Sequence, residues 1–77
     1  VSIGSNMFGA CVLLTYNIGS SGFRKSTVLR KINEREFQAA AIAFEMWNKG
    51  RVNGRIQILT GLVRRRKAER ELFERDI

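Results

Sequence analysis

Met7-Phe8-Gly9-Ala10-Cys11-Val12-Leu13-Leu14-Thr15-Tyr16-Asn17-Ile18 is apolar on nearly every side. A helix with no polar face normally lies at the centre of a domain, covered on most sides. The stretch therefore predicts a central helix with other elements packed around it. Val1–Ser5 reads as an extended entry, and Ser5 or Asn6 can cap the first turn through a side-chain oxygen. Gly19-Ser20-Ser21-Gly22 ends the helix, with Gly19 as a left-handed C-cap.

Three further helices follow outward from it. Ser26 suits the start of a short helix, Thr27–Ile32. Asn33 and Glu36 have the spacing of a capping box, opening a helix to about Trp47. Its apolar positions, Phe37, Ala40, Ala41, Phe44 and Trp47, recur at three-and-four spacing. Asn48–Arg55 contains two glycines and reads as a loop, and Ile56–Leu59 is ambiguous. Thr60 can cap a last helix through about Glu74. The expected fold is all-α: one helical domain over residues 1–77, with about four helices around a central apolar one.

Composition narrows the chemistry. At 77 residues the chain is near the lower limit for a single unaided core. It has one Cys and no His. That excludes an internal disulfide, an ordinary zinc site and any His-activated nucleophile, and no cofactor or metal is expected. Cys11, within the apolar run, reads as a small buried core thiol. No apolar run reaches the ~20 residues of a membrane span. The opening residues lack a basic region, so no signal peptide is expected. The net charge of +7 implies attraction to polyanions: nucleic acid, anionic lipid or a cell-wall polymer.

The last helix places charge beside its apolar stripe. Leu62, Leu72 and Phe73 define the stripe, and Arg65 and Glu69 fall on it four residues apart. Two readings stand: an ordinary helix-surface pair, or a partly buried Arg65 aimed at a carboxylate beyond the helix. Arg64-Arg65-Arg66-Lys67 points in all directions around a helix and has Glu69, Glu71, Glu74 and Asp76 nearby. It reads as a solvated face before a phosphate-binding patch. Trp47, Phe23, Phe37, Phe44 and Phe73 are core candidates.

Several motifs occur in one order: Tyr16-Asn17-Ile18-Gly19, Gly22-Phe23, Ser26-Thr27-Val28-Leu29-Arg30-Lys31-Ile32-Asn33, Ala39-Ala40, Trp47-Asn48 and Gly61-Leu62-Val63-Arg64-Arg65-Arg66-Lys67-Ala68-Glu69-Arg70. Together they resemble the phage-type lysozymes, the endolysins of glycoside hydrolase family 24, from about residue 5 to residue 73. Arg51–Leu59 departs from the familiar pattern.

The resemblance implies the C-terminal helical lobe of such an enzyme, which hydrolyses the N-acetylmuramic acid–N-acetylglucosamine linkage of peptidoglycan. In that family a preceding lobe supplies the catalytic Glu. Here the first 33 residues hold no carboxylate, and none of the seven acids stands in the family's catalytic context. No catalytic residue is therefore assigned, and the chain alone is expected to be inactive. By resemblance, Tyr16 and Asn17 line the cleft floor, Ser26 contacts substrate from the opposite rim, and Arg65 with Glu69 supports the cleft. The plainer reading of Tyr16 and Asn17, that they close the first helix, stays open.

The partners implied are a peptidoglycan glycan strand and a separate N-terminal lobe, or self-association through the exposed lobe interface. The resemblance further implies a phage or prophage product, made in the bacterial host cytoplasm and acting at the cell wall. The alternative is a small basic helical nucleic-acid-binding module, with Lys25, Arg30, Lys31 and Arg35 as contacts. The lysozyme-like pattern accounts for those four equally well, so no nucleic acid is expected as a partner.

Overall fold

The computed structural model describes residues 1–77. Its elements run α1 (Ser5–Arg24), α2 (Thr27–Asn33), α3 (Phe37–Ala43), a 3-10 turn (Phe44–Met46), β1 (Lys49–Val52), β2 (Arg55–Ile58) and α4 (Thr60–Glu74). The four helices agree with the sequence reading; the small antiparallel hairpin is additional.

Neither Ser5 nor Asn6 caps α1. Gly4 holds the N-cap position without a side chain. Asp76, near the other chain end, takes over: its Oδ2 accepts from the amides of Asn6 at 2.8 Å and Met7 at 3.0 Å. Its Oδ1 accepts from the Asn6 side-chain amide at 3.0 Å. A carboxylate on the first free amides satisfies donors that the helix cannot and complements its dipole. Helix α1 is broken at Gly19, where the sequence reading ended it, although the break is not a left-handed C-cap. Gly19 takes φ 84° and ψ 158°, and the chain resumes helical turns to Arg24 across the kink. That backbone region is open to glycine and closed to residues with a Cβ.

Helix α1 is the apolar helix on which the others pack, and the side they leave bare agrees with the exposed lobe interface that the resemblance implies. Met7, Ala10, Cys11 and Leu14 are buried, chiefly against α4, while Phe8, Val12, Leu13 and Tyr16 are exposed. The helix is flanked on one side, not surrounded. Its buried residues join Val28 and Ile32 from α2, Ala40, Ala41 and Ala43 from α3, and the Phe44–Phe73 pair. Those two rings meet tilted, with centroids 5.2 Å apart, a favoured aromatic arrangement. Phe23, Phe37 and Trp47 pack partly buried against this cluster.

The capping box at Asn33 and Glu36 does not form. Asn33 ends α2, and Arg35 turns left-handed at φ 60°. The Arg35 amide donates to the Ile32 carbonyl at 2.9 Å, and the Glu36 amide to the Lys31 carbonyl at 2.8 Å. This paired pattern closes a helix by satisfying its last carbonyls. Helix α3 then starts at Phe37 and tightens into the 3-10 turn before Trp47. Thr60 begins α4 without a side-chain cap bond, and the helix ends at Glu74 as expected.

The segment Lys49–Ile58 forms the hairpin, with Lys49 opposite Ile58 and Arg51 opposite Ile56. Asn53 (φ 51°) and Gly54 (φ 80°) make its two-residue turn. Positive φ at both positions matches the right-handed twist of the strands, which is why Asn-Gly is favoured there.

Candidate functional site

Tyr16 and Asn17 stand near the kinked end of α1, and α4 brings Arg65 to them. Tyr16 is 89% exposed. Asn17 is also exposed, and its Oδ1 accepts from Arg65 Nη1. Its Nδ2 lies 3.4 Å from the Leu13 carbonyl, a long and weak bond. The amide nitrogen therefore keeps donor capacity toward solvent, while the guanidinium fixes which way the group faces. Tyr16 borders an open apolar hollow of about 330 Å³ shared with Phe8, Cys11, Val12, Thr15 and Phe23. The phenol ring and the primary amide project about 100° apart around the helix, and both are open to solvent.

Arg65 does not pair with Glu69. The partner is Arg66, 1% exposed, against Glu69, 3% exposed. Arg66 Nη2 donates to Glu69 Oε2 at 3.0 Å. Arg66 Nε also approaches Glu69 Oε1 to 2.8 Å, in a geometry too bent for a hydrogen bond. Burial pushes the Glu69 carboxyl above its usual range, opposed by the charges of Arg66 and Arg65. Burial likewise lowers Arg66, opposed by Glu69. The close contact identifies the state as an ion pair inside the lobe. Leu62, Arg66, Glu69 and Phe73 follow four-three-four spacing, so a strict count of the period places Arg66 on the stripe and Arg65 at its edge.

Ser26 is at the N-cap of α2 and nearly buried. Its Oγ accepts from the Leu29 amide at 3.1 Å and donates to the Phe23 carbonyl at 2.6 Å. The hydroxyl is thus engaged in holding the turn between α1 and α2. Ser26 borders a different hollow, of about 510 Å³, with Arg24, Lys25, Leu29, Arg30 and Asn33. Asn17 and Arg65 are brought together; Ser26 and Glu69 each belong to separate surroundings.

The remaining carboxylates are mostly occupied. Glu45 and Glu74 both bind Arg70, at 3.0 and 3.1 Å, and Glu34 binds Lys31 at 3.2 Å. Asp76 is held below the usual carboxylate range by the Met7 amide and the Asn6 side chain. Cys11 is buried, and burial pushes its thiol up to about 11, which suits an inert core thiol. No group of three or more Cys, Asp or Glu side chains is placed to hold a metal ion.

Comparison with known proteins gives one consistent result. The phage lysozyme family model matches residues 1–69. An endolysin of Acyrthosiphon pisum secondary endosymbiont phage 1 is 40% identical over 74 residues, 96% of this chain and 51% of that protein. The endolysin of Salmonella phage P22 is 42% identical over 73 residues, 95% of this chain and 47% of that protein. Among solved structures, an endolysin from Escherichia coli O157:H7 phage FAHEc1 superposes with a TM-score of 0.95 at 32% identity, covering 100% of this chain and 49% of that one. The muramidase domain of SpmX from Asticaccaulis excentricus superposes with a TM-score of 0.88 at 38% identity, covering 95% of this chain and 50% of that one. The chain spans about half the length of the relatives it matches. With the family model covering most of its residues, and both sequence and backbone agreeing nearly end to end, this chain belongs to the phage lysozyme family.

Proposed function

We propose that this chain forms the glycan-gripping helical lobe of a muramidase that hydrolyses the N-acetylmuramic acid–N-acetylglucosamine linkage of bacterial peptidoglycan. Tyr16 and Asn17 hold the sugar, Arg65 orients Asn17, and Ser26 shapes the opposite rim. Glu69 keeps Arg66 neutralised beneath Arg65. The observation that carries this reading is the bond from Arg65 to the exposed Asn17, which ties α4 to the end of α1 beside Tyr16.

The proton for glycoside cleavage comes, in this proposal, from a carboxyl outside these 77 residues. A glycosidase acid needs a raised pKa and open access to the glycosidic oxygen. Burial pushes the Glu69 carboxyl upward, but it is closed off against Arg66. The exposed apolar side of α1, with Phe8, Val12 and Leu13, is the surface a complementary lobe or a second copy would cover. The site of action is the cell wall, after synthesis in the cytoplasm of a phage-bearing bacterium.

The test combines clearing of a purified-wall suspension with co-sedimentation on insoluble peptidoglycan. The expected outcome is retention without clearing, with Asn17→Ala lowering retention roughly fivefold to tenfold, as for one or two lost hydrogen bonds. Clearing by the chain alone would remove the claim about the acid. Failure to sediment with peptidoglycan would remove the claim about gripping.

A further inference from the structure

The hairpin and the turn before it carry a surface that glycan binding does not use. Met46, Ile56 and Ile58 are 61%, 68% and 63% exposed. Ile56 and Ile58 share one face of β2 by strand alternation, and the register sets Arg51 and Lys49 opposite them. Met46, Trp47, Lys49, Arg51 and Ile56 line an open hollow of about 390 Å³ on this side. The face is therefore an apolar ridge flanked by cations.

Its charge is one-sided. The hairpin, Lys49–Ile58, carries three cations and no carboxylate. Glu45, the nearest acid in sequence, is held by Arg70. Lys49, Arg51 and Arg55 have no carboxylate partner within 4.0 Å, whereas Lys31, Arg66 and Arg70 do. Exposed isoleucines beside free cations match an interface where acyl chains begin below a layer of negative headgroups. A soluble polyanion would satisfy the cations and leave Ile56 and Ile58 in water. No helix of the chain is long and apolar enough to cross a membrane, so the contact is peripheral.

We propose that the β1–β2 hairpin is a peripheral membrane-docking element that seats Ile56 and Ile58 in an anionic lipid surface, with Lys49 and Arg51, on the same face, against its headgroups.

The chain holds a single Trp, at the edge of this hollow, which makes the contact readable at one position. The experiment titrates the full chain with vesicles of phosphatidylglycerol and phosphatidylcholine, and with vesicles of phosphatidylcholine alone, following sedimentation and Trp47 emission. The expected result is binding to the anionic vesicles with a blue shift of Trp47, and little binding to the neutral ones. Removing Lys49 and Arg51 together as glutamines is expected to lower partitioning about twenty-five-fold, at about fivefold per cation near a charged surface. Ile56→Ser with Ile58→Ser, which keeps every charge, is expected to lower it roughly tenfold or more. Both isoleucines are exposed, so circular dichroism of that variant should match the parent. Binding without a Trp47 shift, or binding unchanged by the serine pair, would overturn the proposal in favour of simple attraction by net charge. Equal binding to neutral vesicles would overturn the role of the cations.

Discussion

Arg66 and Glu69 are the costliest side chains in this molecule to leave alone. Each is nearly devoid of solvent, and each is compensated mainly by the other. Removing one partner strands a buried charge, which costs about 3–5 kcal/mol, whereas replacing both with apolar groups of similar volume can be neutral. Glu69→Gln is therefore expected to lower the denaturant midpoint severely in this small lobe, while Arg66→Met with Glu69→Leu loses far less. Equilibrium unfolding monitored by circular dichroism gives both numbers. A double variant as damaged as the single one would mean that the pair holds more than itself. By contrast, Arg65 is exposed, and its expected effect lies with Asn17 and glycan retention instead of stability. The pair was half legible in the sequence: Glu69 was found, but its partner was assigned one residue early, because Arg65 sits at the stripe's edge and four residues from Glu69.

Helix α1 shows how one backbone position shapes an element. Gly19 has no neighbour within 4 Å of where a Cβ would sit, so space is not the constraint there. Its constraint is φ 84° with ψ 158°, a combination costing about 1–3 kcal/mol for a residue with a Cβ. Gly19→Ala is expected to destabilise by that amount in denaturant unfolding and to weaken glycan retention, since Asn17 lies two residues before the kink. An alanine variant of parental stability would show that the kink is not imposed by the chain. The hairpin was missed for a different reason. Asn53-Gly54 is a strong turn signal and Arg55-Ile56-Gln57-Ile58 alternates, but each strand has only four residues and β1 has one large apolar side chain, Val52, so the alternation is too short to stand out. The broken capping box at Asn33 is the same kind of lesson. A left-handed Arg35 closing α2 competes with an Asn cap opening α3, and the local bonds favour closure.

At the scale of the whole molecule, Asp76 staples the start of α1 to the end of α4, 70 residues apart. Its carboxylate is held below its ordinary 3.8 by the Met7 amide and the Asn6 side chain. A depressed folded-state value means that the charged form stabilises the fold. That stability is fully present above the unfolded value and is lost as pH falls through 3.8 and below. Melting temperature is therefore expected to fall below about pH 4 in the parent chain. Asp76→Asn should flatten that drop and melt lower at neutral pH. An unchanged acid limb in the variant would remove Asp76 as its cause.

The sequence alone determined the helical class, the family, the extent of α4 and the cap of α2 by Ser26. These rest on local periodicity, short-range capping and motif order, which need no knowledge of distant neighbours. Tertiary structure alone decided which residues of α1 lie bare, that Arg66 and not Arg65 is buried with Glu69, and that Asp76 caps a helix from the far end of the chain. Each of those depends on which surfaces meet, and side-chain burial and long-range hydrogen bonds are properties of that meeting.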